Sequence, residues 1–127
     1  MSYLRNPLAR ARGYGSAKHG VRHWLAQRAT ALVLLGLIPW AVYALLALAG
    51  QGHAPVAAFI ARPFNASLLI LLLGSLLYHT VLGLQVVIED YVHHRGVEMV
   101  LHFLVRLAAV TALITGTIHI LQLALGT

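Results

Sequence analysis

Three apolar runs dominate the chain, roughly Ala29–Gly50, Phe64–Ile88 and Phe103–Leu125, each interrupted by few polar residues. A bilayer core about 30 Å thick is crossed by about 20 residues of helix, so each run is long enough to span. The polar segments between them are short, which leaves no room for a separate soluble domain. The pattern predicts an all-α integral membrane protein: a basic arm and interfacial segment over 1–28, then a three-helix membrane domain over 29–127. Residues 2–19, rich in Gly, Arg and Ser, read as an extended tail. Pro39 predicts a kink in the first span. Gln51–Pro63 reads as a loop, with Gly52, Pro55 and Pro63 as breakers.

Composition supports the membrane reading. Hydrophobic residues make up 60% of the chain and charged residues 9%, with a mean hydropathy of +0.82, far from the balance of a soluble domain. The chain has no cysteine, which excludes disulfides and thiolate-held metal or iron–sulfur centres within it. Of nine Lys and Arg residues, Arg5, Arg10, Arg12, Lys18, Arg22 and Arg28 precede the first span. The positive-inside rule then puts the N-terminus in the cytoplasm, the C-terminus outside, and the Glu89–Glu98 connection back on the cytoplasmic side. The polar N-terminal segment is too long for a signal peptide's n-region, so the first span reads as an uncleaved anchor. A net charge of +6 is accounted for by this topology and by anionic lipid headgroups, without nucleic acid.

Chemistry concentrates in the second span. His79 and Asp90 lie eleven residues apart, about three helical turns plus roughly 20°, and so share a face about 16 Å apart. Asp90 and Tyr91 then stand at the water boundary and His79 near half depth. An imidazole at that depth has three uses: to bind a metal centre, to relay protons, or to hydrogen-bond to another helix. Ser75, His79 and Gly83 follow at i, i+4, i+8, a small–His–small face that suits either close helix packing or a flat group beside the ring. An acceptor on the second ring nitrogen would orient the ring, and the Ser75 carbonyl is one candidate. Tyr91 has the donor that a quinone carbonyl needs, with Asp90 to orient it; otherwise Tyr91 is an interfacial belt residue. In the third span Thr111, Thr115, His119 and Gln122 form a polar line expected to hydrogen-bond to neighbouring helices.

Two motifs, His79-x3-Gly83-x6-Asp90-Tyr91 and Gly20-Val-Arg-His-Trp-Leu-Ala-Gln-Arg28-Ala-Thr30, together with three spans and a basic arm, resemble the hydrophobic membrane-anchor (D) subunits of succinate dehydrogenase, respiratory complex II. The resemblance covers nearly the whole chain. It implies a bacterial inner membrane protein with a periplasmic C-terminus, tethering a flavoprotein subunit and an iron–sulfur subunit beside a sister (C) membrane anchor. It further implies one haem b shared with that sister anchor, with His79 as an axial ligand and Arg28, and less directly Arg22 or His23, near the propionates. Tyr91 and Asp90 correspond to ubiquinone contacts. FAD and the iron–sulfur clusters would belong to partner subunits, so succinate oxidation would not occur on this chain.

The residues alone leave room for a small helical proton-coupled transporter or channel subunit in which His79 and Asp90 form a relay. They also admit an assembly partner that touches no cofactor.

Overall fold

The computed structural model describes residues 18–126, and all regular structure among them is helical. The expected basic tail therefore lies outside the described residues except for its last positions. Helix α1 spans Lys18–Leu48, α2 His53–Ile60, α3 Pro63–Tyr91 and α4 Arg95–Leu125. Of these, α1 from Gly20 onward, α3 and α4 are long and apolar enough to cross a membrane.

The helices run further than the apolar runs that announce them. The interfacial segment before Arg28 belongs to α1, which continues as one helix through Pro39. On the other side, α3 keeps Asp90 and Tyr91 in its last turn and α4 begins at Arg95, so only Val92–His94 connect the two. Hydrogen bonds Val92 N–H to Ile88 O at 2.9 Å and Glu98 N–H to His94 O at 3.0 Å finish the two ends. Glu98, in the first turn of α4, is placed where the helix dipole favours a carboxylate.

The segment expected to be a loop contains α2. Gly50 and Gly52, with φ of 78° and 82°, turn the chain out of α1 in a backbone region that glycine enters at little cost. Pro63, expected as a breaker, instead opens α3, where a missing N–H costs nothing. The buried Asn65 donates from Nδ2 to Phe59 O at 2.8 Å, tying the end of α2 to the start of α3. Phe59 also stacks on Trp40 of α1, centroids 6.1 Å apart.

The central helix is α3, with α1 packed on one side and α4 on the other; α1 and α4 scarcely meet. At Gly116 of α4, an added Cβ would lie 2.5 Å from Leu73 Cδ2 of α3. Few side chains among the described residues are buried: Leu34, Leu37, Ala44, Ala66, Leu82 and Ile88 form the apolar core. Most leucines point outward, as expected for a chain surrounded by lipid and protein partners rather than water.

Candidate functional site

His79 lies on the α3 face turned to α1 and is half-buried there. Its Nδ1 is 2.9 Å from Thr30 Oγ1, and its Nε2 is 3.4 Å from Gln27 Nε2. Gln27 and Thr30 sit three residues apart on α1 and so share one face. The Thr30 hydroxyl also reaches the carbonyls of Ala26 at 2.9 Å and Gln27 at 3.0 Å. A hydroxyl has one proton. With that proton on its own helix, Thr30 Oγ1 accepts from His79 Nδ1–H. Gln27 Nε2, a pure donor, meets the ring's other nitrogen and requires a lone pair there. Both contacts are compatible with one tautomer, with Nδ1 protonated and Nε2 basic.

The partner of Nδ1 is thus the Thr30 hydroxyl, and the Ser75 carbonyl does not take that role. The facing helix brings the Thr30 hydroxyl to 2.9 Å from Nδ1, and that contact takes the nitrogen in place of a bond back to the ring's own helix. Gly83 leaves the next turn of α3 without a side chain. The Gln27 amide occupies that space, 3.7 Å from where a Cβ would be, and its Oε1 is buried without a partner. A buried amide oxygen left in this state is costly, so Gln27 is held over His79 by packing and by one long hydrogen bond.

Below Gln27 a groove of about 660 Å³ opens between α1 and α3, lined by Gly20, His23, Trp24, Gln27, Val86 and Glu89. Arg28 is exposed, its guanidinium carbon 5.2 Å from the centre of the Trp24 ring, within cation–π range. Arg22 is exposed six residues earlier on the same helix. Asp90 and Tyr91 are both exposed, Tyr91 at 78%, and no hydrogen bond joins them. In this chain by itself, Asp90 does not orient the Tyr91 hydroxyl. The ring instead stands out from α3, where a neighbouring protein has room to cover it.

The polar line of α4 does not reach across to other helices as expected. Thr115 Oγ1 donates to Thr111 O at 2.8 Å, and His119 Nδ1 donates to Thr115 O at 2.7 Å. Both satisfy themselves on their own backbone, as threonines in apolar helices commonly do. His119 is exposed and remote from the His79 face.

Sequence reasoning did not single out Gln27 or Thr30 as partners of His79. It also passed over a second polar contact, in which Gln85 Oε1 accepts from Arg106 Nε at 3.1 Å and Nη2 at 2.8 Å, the amide orientation that satisfies both groups. The signal was available: Gln85 and Arg106 are isolated polar residues within otherwise apolar stretches, and such residues seldom lack a partner.

Comparison with known proteins identifies the family of the chain as a whole. Residues 2–115 match the succinate dehydrogenase/fumarate reductase transmembrane subunit family. The succinate dehydrogenase hydrophobic membrane anchor subunit of Rickettsia bellii is 35% identical over 115 residues, covering 90% of this chain and 92% of the relative. That of Rickettsia conorii is 32% identical over 84% of this chain and 86% of the relative. The succinate dehydrogenase membrane anchor subunit of Reclinomonas americana is 34% identical over 73% and 80%. A family match across most of the chain, relatives of nearly the same length and three helices able to span together establish that the chain belongs to the succinate dehydrogenase/fumarate reductase transmembrane subunit family, with the hydrophobic membrane anchors as its relatives.

Proposed function

We propose that this membrane anchor serves a succinate:quinone oxidoreductase, co-ligating a haem b through His79 Nε2 and forming part of the ubiquinone reduction site through Tyr91 and Asp90. The observation that carries the haem assignment is the Thr30–His79 contact. An axial histidine needs one nitrogen protonated and held, and the other presenting a lone pair. The Thr30 hydroxyl supplies the first condition and thereby the second.

The surrounding residues fit a flat, anionic-edged group. Gly83 removes a side chain from the turn beside the ring, and the Gln27 amide, held by one 3.4 Å contact, swings aside to free Nε2. Arg28 and Arg22 are exposed cations on the same helix, suited to propionate carboxylates. Haem would supply a one-electron centre within the apolar layer, with its second ligand from the sister membrane anchor. FAD and the iron–sulfur clusters belong to the flavoprotein and iron–sulfur subunits that this anchor tethers.

At the end of α3, the Tyr91 hydroxyl donates to a ubiquinone carbonyl. Asp90 beside it keeps the site open to water, which supplies the protons that quinone reduction consumes. The exposure of both residues favours a site completed by partner subunits, since a quinone pocket needs apolar walls that Tyr91 does not find on its own chain. The distribution of basic residues supports a bacterial inner membrane location, with the 92–94 connection cytoplasmic and the C-terminus periplasmic.

The deciding experiment is a reduced-minus-oxidised spectrum of the purified complex with and without His79→Leu. The wild type should show a low-spin b-type band, and the variant should lose six-coordinate character. A low-spin band unchanged by the substitution rejects the ligand assignment. A colourless wild-type complex that couples proton flux to transport would favour the relay reading of His79 and Asp90.

A further inference from the structure

On the side of α3 away from His79, an apolar groove of about 450 Å³ runs between α3 and α4. Its floor includes Gly74, Leu82 and Leu113, and Tyr78, Gln85 and Arg106 bring polar atoms to it. From Gly74 to Gln85 the groove follows α3 for about 16 Å. None of these residues contacts His79, Asp90 or Tyr91 by hydrogen bond.

Arg106 is the charged member of this lining, and its pairing is incomplete. Two of its five N–H donors go to Gln85 Oε1. Gln85 is neutral, so the positive charge remains uncompensated. The nearest carboxylate along α4, Glu98, is eight residues away, about 12 Å, and lies 3.8 Å from His102 instead. Arg106 is exposed on the described chain, so its remaining donors are available.

Its level in the membrane follows from helix length. The nineteen residues Leu107–Leu125 rise about 28 Å, close to the thickness of a bilayer's apolar core. With that stretch in hydrocarbon, Arg106 stands at the boundary on the side of the 92–94 connection, at the depth of lipid phosphates.

We propose that this groove binds an anionic phospholipid, its phosphate held by Arg106 beside the Gln85 amide and an acyl chain laid along the apolar wall between α3 and α4. The pairing is chemically complementary at both ends. A guanidinium fork binds a phosphate in bidentate fashion, and the wall below offers aliphatic side chains and the bare backbone of Gly74. Gln85 contributes by holding the fork, which leaves less side-chain entropy to be lost on binding.

The test uses the whole complex, purified and delipidated, with phosphatidylglycerol or phosphatidylcholine added back. Bound lipid is counted by mass spectrometry and Tm is followed for each lipid. The wild type should retain the anionic lipid, and its Tm should rise more with phosphatidylglycerol than with phosphatidylcholine. Arg106→Leu should weaken phosphatidylglycerol binding by roughly fivefold or more and abolish the headgroup preference, whereas Arg106→Lys should keep much of it. Ala109→Phe fills the groove without altering charge and should displace the lipid as well. Equal Tm values in the two lipids, as expected if the sister anchor covers Arg106, overturn the proposal. So does wild-type lipid retention in Arg106→Leu or, should that variant fail to assemble, in Ala109→Phe. The haem and quinone assignments do not depend on either result.

Discussion

Thr30 Oγ1 of α1 lies 2.9 Å from His79 Nδ1 of α3, joining positions 49 residues apart. Because that hydroxyl is also within 3.0 Å of its own helix's carbonyls, it is placed to orient the ring and, by accepting from Nδ1–H, to leave Nε2 basic. Thr30→Val keeps the volume and removes the partner. The variant should lose haem affinity by about 10- to 100-fold, the usual effect of deleting a second group behind a metal ligand, while Thr30→Ser should remain close to wild type. Haem titration of the purified complex checks this. Equal affinity in Thr30→Val and wild type would show that Thr30 does not support the ligand.

Gln27 sits over the ring with one long contact and an unpartnered oxygen. Gln27→Ala should therefore fill with haem at least as readily as wild type, since the displaced amide gives up little. Haem occupancy after assembly under limiting haem supply measures this. A fall of tenfold or more would mean that Gln27 acts on the bound group.

Tyr91→Phe retains the ring and deletes one donor. Losing a hydrogen bond worth about 1–3 kcal/mol in a desolvated site should slow quinone reduction by roughly 5- to 150-fold. Succinate oxidation by an artificial acceptor that draws from the flavin should remain unchanged. Wild-type quinone kinetics in the variant would remove Tyr91 from the site.

Gly116 of α4 faces Leu73 of α3 closely enough that an added Cβ would lie 2.5 Å from Leu73 Cδ2. Gly116→Leu should destabilise the anchor by about 1–3 kcal/mol through overpacking. Leu73→Ala in the same chain should recover part of that loss, because it removes the side chain that is struck. Detergent unfolding of the single and double variants gives the coupling; purely additive losses would place the helices further apart.

For topology, a cysteine in place of His94 should react with a membrane-impermeant reagent only from the cytoplasmic side, and one in place of Gln51 only from outside. His94 lies in the short connection between α3 and α4, and Gln51 in the turn after α1. The reverse pattern in intact cells would invert the assignment drawn from the basic arm.

The sequence by itself determined the three helices able to span a membrane, because the length of an apolar run and the bilayer's thickness are both one-dimensional quantities. It also singled out His79, Asp90 and Tyr91, since an ionisable group inside such a run stands out without any knowledge of its neighbours. Helix ends were less legible: α2 lies within a segment of turn-forming residues, and Pro63 opens a helix where it was expected to break one. Only the tertiary structure decided what faces what. Thr30 rather than Ser75 holds the His79 ring, Gln85 pairs with Arg106, and Thr115 and His119 bond to their own helix. These pairings depend on the rotation and axial offset of one helix against another. Both are set by close contacts such as Gly116 against Leu73, which periodicity along a single helix does not specify.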